Sequence, residues 1–558
     1  MGIPSYFSHI VKSHRRIIKQ FNNSMKVDNL YLDCNSIVYD VVNHLDKQSI
    51  NTHIINDNND YNEYILNQVC ISISNYISSI KPSEKVMIAF DGVAPIAKLE
   101  QQRNRRYKSW FQTQAFKKIK NASDNWDTTC ITPGTEFMKT LNRFVTRYFS
   151  NFKQFNVKEI IVSGSDEPGE GEHKIYEYIR INDVYHKTTT TVIYGLDADL
   201  IMLTLNHLHI SKKMYLFRET PHFIKTIDNT LNPNELYVID IPSLEEEIIN
   251  HLMNVSSTNA NANANQLTDC QRKCKVFDYI LICFMLGNDF LPHFPSINIR
   301  TNGIDILINA YKELFKNNDN LTDGKIIIWK NFRKFISYLA SNELKYLENE
   351  MTLRNKWERN RNNNNNNNRN TNANTQNNEL EEQFMSLPIK NRELEKYINP
   401  GDNGWENRYY KVLFDIDIDD DRKKQICTNY LEGIEWTLKY YTTGCADWRW
   451  SYKYHYPPLL KDLLSYTPYF DAEFINNEGH VKKAPVNEYT QLCYVLPRNS
   501  LHYLPKNIYD KLLHEYSHLY GLDYTFNWAF CKYFWESHVN LPHIDIKKIE
   551  QLVENSLS

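Results

Sequence analysis

From Met1 to about Glu350 short apolar runs alternate with longer stretches of helical spacing, the βα rhythm of a mostly parallel sheet flanked by helices. NLYL, KVMIAF and TTVIYG read as strands. Phe137, Leu141, Phe144 and Tyr148 follow helical spacing after the turn ITPG, and Val276, Phe277, Ile280, Leu281 and Phe284 do so before LGND. These stripes are read as core. Two low-complexity stretches interrupt the pattern: NANANAN near 259 to 265, and an Asn-dominated segment holding the run Asn362 to Asn368. Neither can bury apolar surface, so both are expected to be disordered surface insertions. Beyond Leu380 the chain turns aromatic-rich and mainly helical. The expected organisation is therefore an α/β catalytic region over 1–350, a disordered insertion over 355–378, and a second helical region over 380–558 that packs on the first and completes its pocket.

The apolar runs share a chemical peculiarity: each delivers carboxylates at or near its end. NLYLD ends at Asp33, KVMIAFD at Asp91, PGEGE carries Glu170 and Glu172, YGLDAD carries Asp197 and Asp199, and MLGND ends at Asp289. In an open α/β sheet ligands collect beyond the carboxyl ends of the strands, so these acids should point at one place. Two carboxylates ~4 Å apart repel by roughly 4 kcal/mol at an effective dielectric near 20, so such a cluster calls for cations. Mg²⁺ suits it, with hard oxygen ligands and a shell completed by substrate phosphate, and Mn²⁺ is the alternative. A plainer reading makes Asp197 or Asp199 a helix cap and Glu170 and Glu172 a dipole-compensating first turn. A cap would explain one acid and leaves the others without a reason.

Composition narrows the class. The 558 residues allow two or more domains, and a formal net charge of −3 excludes a uniformly basic nucleic-acid binder, so any polyanion site must be local. Ten cysteines without a CxxC pair, and no secretory h-region behind MGIPSYFSHIVK, suit a reducing compartment, cytoplasm with nucleus as the alternative. Cys270 and Cys274 stand four apart but lack a second pair, which argues against zinc. The longest apolar run, YILICFML, is too short to span a bilayer, and Tyr6 stands where a myristoylation signal needs Ser or Thr. No membrane role is expected.

A local polyanion site is offered by AKLEQQRNRRYK, directly after Asp91. Read as a helix it puts Lys98, Gln102, Arg105 and Arg106 on one face, where guanidinium forks and an ammonium can grip a terminal phosphate. An ordinary solvated basic face is the plainer alternative. Position beside a metal-ligand candidate favours the phosphate pocket. A further feature, Gly433 to Pro458, interleaves Trp, Tyr, His, Lys and Arg; its rings serve either core packing or stacking on bases, and Trp448 and Trp450 flank Arg449.

Taken together, MGIP, NLYLDCNSI, DGVAPIAKLEQQRNRRY, ITPGTEFM, PGEGEHKI, YGLDADLIML, LGNDFLPHFP and WRWSYKYHYPP, in this order, resemble the Xrn family of 5′-to-3′ exoribonucleases over nearly the whole chain outside the Asn-rich stretches. The resemblance implies a PIN/FEN-like nuclease core, with Asp33, Asp91, Glu170, Glu172, Asp197, Asp199 and Asp289 as catalytic metal-binding acids for two Mg²⁺ ions. It implies a 5′-phosphate pocket of Lys98, Gln102, Arg105 and Arg106. Tyr39 stands where the family has a base-stacking His, and either Trp448 or Trp450 corresponds to the ring opposite it. Ile96 replaces a basic residue of the family pattern. The long C-terminal auxiliary domains of the large members are missing, so a stabilising protein partner, or the C-terminal helices, is expected to brace the core.

The implied activity is Mg²⁺-dependent hydrolysis of single-stranded RNA bearing a 5′-monophosphate, releasing nucleoside 5′-monophosphates by a two-metal-ion mechanism. Two alternatives remain: a flap-type structure-specific nuclease, whose glycine-rich hairpin after the last acid is replaced here by FLPHFPSINI, and a catalytically inactive RNA-binding scaffold, which would be expected to have lost acids.

Overall fold

The computed structural model describes residues 2–22, 25–49, 58–120, 126–218, 231–232, 235–253, 267–316, 319–367, 373–475 and 484–558. The NANANAN stretch lies outside them.

The centre is a seven-stranded sheet built from β1 (Ile18–Gln20), β2 (Asn29–Asp33), β3 (Lys85–Ala89), β4 (Glu159–Ser163), β5 (Thr191–Tyr194), β6 (Met214–Phe217) and β7 (Tyr237–Asp240), in the order β1-β7-β6-β5-β2-β3-β4. Strands β6, β5, β2, β3 and β4 run parallel; β7 and β1 join antiparallel at one edge. Strands β2, β3 and β5 are almost wholly buried, as sheets covered on both faces must be. Alternate residues serve opposite cores. Leu30, Leu32, Val86, Ile88 and Val192 pack with the helices Asn35–Ser49, Asn58–Ile80 and Glu136–Tyr148. Tyr31, Met87 and Ile193 face the helices Gly171–Ile181, Asp199–His207 and Asp269–Cys283. Of the helix stripes read from the sequence, Leu141, Val276, Phe277, Ile280, Leu281 and Phe284 are buried in these cores, Phe137 and Phe144 are partly buried against them, and Tyr148, expected in the core, is exposed at the end of its helix.

The chain leaves β2 for β3 on one side and later returns to β5 on the other. The carboxyl end of β2 is therefore the crevice where such sheets collect ligands.

The second core also takes in the helix Asp420–Thr442 through Tyr430, Leu431, Ile434, Trp436 and Leu438, so the helical region and the sheet region share one apolar interior. A further cluster joins Val93, Ile96 and Leu99, at the start of the helix Ile96–Lys120, to Leu492, Val495, Leu552 and other residues of the last hundred. Ile96 thus packs against the C-terminal helices, an apolar site that accommodates its departure from the basic residue of the family pattern.

The Asn-rich stretch differs from the expected break at 355–378. A helix runs Trp329–Asn367 and another Ala373–Met385, with 368–372 outside the described residues. The register of the first is pinned just before the tract: Arg354, fully buried, forks onto Glu395 at 2.9 and 2.6 Å. Asn is only a mediocre helix former, not a breaker, so turns continue from that anchor. No helix among the described residues is long and apolar enough to cross a membrane.

Candidate active site

Each strand end hands over its acid by a different local device. Asp33 is the last residue of β2, and Asp91 follows β3 by two residues. Asn35 clamps Asp91 twice, its Nδ2 donating to Oδ2 at 2.8 Å and its Oδ1 accepting from the Asp91 N–H at 3.0 Å. The other oxygen of Asp91 accepts from Gly171 N at 2.7 Å, satisfying a free donor at the start of the helix that begins within PGEGE. Gly171 lies so close to β2 that a Cβ there would stand 2.6 Å from Asp33 Oδ1.

Glu170 occupies the N-cap position of that helix yet makes no capping bond. Its carboxylate goes instead to Lys98 Nζ at 2.5 Å and accepts from the Tyr440 hydroxyl at 2.7 Å. The same ammonium reaches Asp289 Oδ2 at 2.7 Å. Glu172, two residues on in the helix's first turn, is buried, and so is Asp199 at the start of its helix; Asp197 is exposed. The DAD pair therefore divides between rim and interior.

The electrostatics are those of an acid cluster short of positive charge. Burial, then the charges of Asp91, Asp197 and Glu170, pushes Asp33 well above the ordinary carboxylate range. Burial with Asp199 and Glu170 does the same to Glu172. Asp199 is pushed up to about 7 by burial, with Asp289 and Asp197 adding. Asp289 goes the other way: against the upward push of burial, Lys98 holds it down at about 2. Asp33 Oδ1 and Glu172 Oε2 are buried with no hydrogen-bond partner among the described residues. Among those residues no trio of His, Cys, Asp or Glu stands preformed at metal-coordinating distance. Hard, unpartnered carboxylate oxygens with raised pKa values nevertheless fit Mg²⁺.

Facing the acids is the basic helix Ile96–Lys120. One cavity of about 160 Å³ is lined by Asp33, Asp91, Glu170, Glu172 and Asp197 together with Lys98, Gln102, Arg105, Arg106 and Tyr39. Gln102 Oε1 and Arg106 Nε are buried there without hydrogen-bond partners among the described residues, and burial lowers the Arg106 guanidinium to about 10. Asp199 and Asp289 stand just behind this lining, coupled to it through Lys98.

The two tryptophans separate. Trp450 is buried, its ring stacked on Trp436 at 5.1 Å and its Nε1 donating to Glu432 at 3.2 Å; it belongs to the core and is withdrawn as a stacking candidate. Trp448 is half-buried, and its carbonyl accepts from Ile96 N at 3.0 Å, beside the start of the basic helix. Cys270 is exposed and Cys274 buried, both free.

Three participants escaped the sequence reading. Asn35 sits inside NLYLDCNSI and could have been picked out as the polar residue two beyond Asp33. Tyr440, which also stacks on His173 at 3.7 Å, arrives from a helix 270 positions away and carries no local signal. Gly2, in MGIP, lies against Asp199.

Comparison with known proteins matches residues 1–220 to the model described as XRN 5′-3′ exonuclease N-terminus, and 269–399 with 389–557 to the Xrn1 helical domain. The chain is 27% identical to 5′-3′ exoribonuclease 1 of Schizosaccharomyces pombe, covering 98% of this chain and 48% of that protein. It is 26% identical to 5′-3′ exoribonuclease 2 of Gallus gallus over 99% of this chain and 70% of that protein, and 28% identical to 5′-3′ exoribonuclease 1 of Homo sapiens over 99% and 34%. The chain thus spans about half the length of the fission-yeast relative and a third of the human one. With both family models matched in order along the chain, it belongs to the XRN 5′-3′ exonuclease family.

Proposed function

We propose that the chain is a Mg²⁺-dependent 5′-to-3′ exoribonuclease that takes single-stranded RNA with a 5′-monophosphate and releases nucleoside 5′-monophosphates. The observation that carries this reading is the single cavity in which an acid wall faces a basic one. Gln102, Arg105 and Arg106 hold the terminal phosphate by charge-assisted hydrogen bonds and so set the register of the strand. The next phosphodiester then lies against Asp33, Asp91, Glu170, Glu172, Asp197, Asp199 and Asp289. These acids would hold two Mg²⁺ ions, which supply charge stabilisation at the reacting phosphodiester when bound. Lys98, paired with Glu170 and Asp289, keeps Asp289 ionised for that purpose. Tyr39, at the cavity wall, and Trp448, beside the start of the basic helix, stack on the first bases. A cap or triphosphate is too large and too charged for the basic end.

The test compares one unstructured RNA with a 5′-monophosphate, a 5′-hydroxyl or a cap, in Mg²⁺, in Mn²⁺ and in chelator, beside Asp199→Ala. Mononucleotide release confined to the monophosphate RNA, to divalent metal and to intact Asp199 supports the reading. Cleavage indifferent to the 5′ end overturns the phosphate pocket in favour of a structure-specific nuclease. Tight binding with no cleavage in any metal makes the chain a scaffold or one that needs a partner for activity.

A further inference from the structure

Glu170 stands at the N-cap position of the helix Gly171–Ile181 without making a capping bond to it. A first helical turn offers N–H donors to a carboxylate placed there, and a glutamate side chain is long and freely rotating, so its direction is set by the outside partners it finds. It has one for each oxygen. Lys98 Nζ lies 2.5 Å from Oε1, and the Tyr440 hydroxyl donates to Oε2 at 2.7 Å. These two contacts use about half of the acceptor sites of an ionised carboxylate and leave the rest for a cation. Glu170 lines the same cavity as Asp33, Asp91 and Glu172.

The two partners are not equivalent. Lys98 is shared with Asp289 at 2.7 Å, and an ammonium on a flexible stem attracts negative charge from many directions. A phenol has a single proton to give, so it fixes one line of approach.

Tyr440 is itself held in place. It is buried, and its ring stacks on His173 at 3.7 Å and on Trp436 at 4.8 Å, with interplanar angles of 30° and 21°. Trp436 stacks in turn on Trp450 at 5.1 Å, and Phe290 meets Tyr440 edge-on at 5.4 Å. Hydrogen bonds anchor both indoles: Trp436 Nε1 donates to the Asp447 carbonyl at 2.8 Å and Trp450 Nε1 to Glu432 at 3.2 Å. A row of stacked rings therefore leads from the helical region to His173, on the helix that carries Glu172. The sheet region supplies the acid, and the helical region supplies the group that aims it.

We propose that Tyr440 is a positioning residue for the acid cluster: its hydroxyl, held by the ring stack, fixes the direction in which Glu170 offers its carboxylate to a divalent cation. The proposal rests on the reading of the cluster as a metal site. The plainer account is a core tyrosine whose hydroxyl has found a convenient acceptor, and it predicts altered stability with unaltered metal binding. A group that orients a ligating carboxylate is typically worth 10- to 100-fold in metal affinity.

Tyr440→Phe keeps the ring and removes only the proton donor. Binding of Mn²⁺ alone to the full chain, without RNA, is followed by electron paramagnetic resonance, beside the melting temperature and the kinetics on 5′-monophosphate RNA. The variant should bind Mn²⁺ about 10-fold or more weakly and melt within a few degrees of the parent; its kcat should fall at fixed metal with KM for RNA unchanged, and recover at high Mn²⁺. In a Glu170→Gln background, where the remaining acids still bind the ion, Tyr440→Phe should cost little more. Should Tyr440→Phe misfold, His173→Leu removes a stacked ring and leaves the hydroxyl; it should weaken Mn²⁺ by a smaller factor, again with little further loss in the Glu170→Gln background. Equal Mn²⁺ affinity in the parent and a folded variant overturns the positioning role and leaves the metal site standing. Losses that add to that of Glu170→Gln place the effect elsewhere and overturn it too. A parent chain that binds no Mn²⁺ overturns the metal reading and this proposal with it.

Discussion

Gly2 is packed against Asp199 so closely that a Cβ on it would overlap the carboxylate Oδ1, and its φ of +53° is one that other residues rarely adopt. The start of the chain is thereby a wall of the acid cluster. Gly2→Ala should lower turnover by about tenfold or more, with the melting temperature within a few degrees of the parent. A double-mutant cycle distinguishes displacement of Asp199 from a general fault. Once Asp199→Ala has removed the carboxylate, adding Gly2→Ala should cost little more; additive losses would place the effect elsewhere.

Lys98 holds Asp289 at about 2 against burial, so its loss should free Asp289 to titrate upward. The sign follows: the acid must be ionised to work, and a raised pKa removes activity first at low pH. Lys98→Met should move the acid limb of the pH–rate profile up by about one unit or more, and added Mg²⁺ should partly restore activity at pH 6. An unshifted limb would leave Lys98 as a phosphate contact alone.

The sheet was largely readable because β2, β3 and β5 are buried on both faces and so appear as uninterrupted apolar runs, each followed by its acid. Less was readable wherever a role depends on distant neighbours. Lys98, Gln102, Arg105 and Arg106 share a helix face, but only the tertiary placement of Glu170 and Asp289 draws Lys98 into the acid cluster. Trp448 and Trp450 look equivalent in WRWSY, and it takes the Trp436 ring from another helix to bury one of them. The helical backbone through residues 355–367 rests on Glu395, from beyond the tract, reaching back to Arg354.

Arg106 and Gln102 line the basic end of the cavity and carry buried atoms with no partner among the described residues. A hydrogen bond to a charged group is worth about 1.5–3 kcal/mol, or roughly 10- to 150-fold. Arg106→Ala should therefore collapse the preference for 5′-monophosphate over 5′-hydroxyl RNA by that factor while leaving the slow rate on 5′-hydroxyl RNA nearly unchanged. A uniform loss on both substrates would remove Arg106 from phosphate recognition.

The tryptophans should part company in experiment as they do in space. Trp450→Ala empties a stacked core position and should cost about 3–5 kcal/mol of stability. Trp448→Ala should leave stability within about 1 kcal/mol and weaken single-stranded RNA by about 1–3 kcal/mol, the worth of one stacked base. Chemical denaturation and RNA titration of both variants read the two effects separately.

Glu343 links the two halves of the helical region and predicts a pH dependence of stability. Its carboxylate is buried and accepts from the N–H groups of Leu460 at 2.8 Å and Lys461 at 3.2 Å, the free donors at the start of the helix Leu460–Tyr466. Burial outweighs those two bonds and pushes the group up to about 7. A carboxyl raised above its unfolded value binds its proton more tightly when folded. Its contribution to stability is therefore full below about pH 4.5 and is lost as the pH rises toward 7, by an amount on the order of 3 kcal/mol. Glu343→Gln keeps an oxygen for the backbone donors and cannot ionise. Denaturation at pH 5 and pH 8 should show the parent losing stability between them through this group, and the Gln variant losing less; equal slopes in the two proteins would mean that Glu343 ionises freely in the folded state.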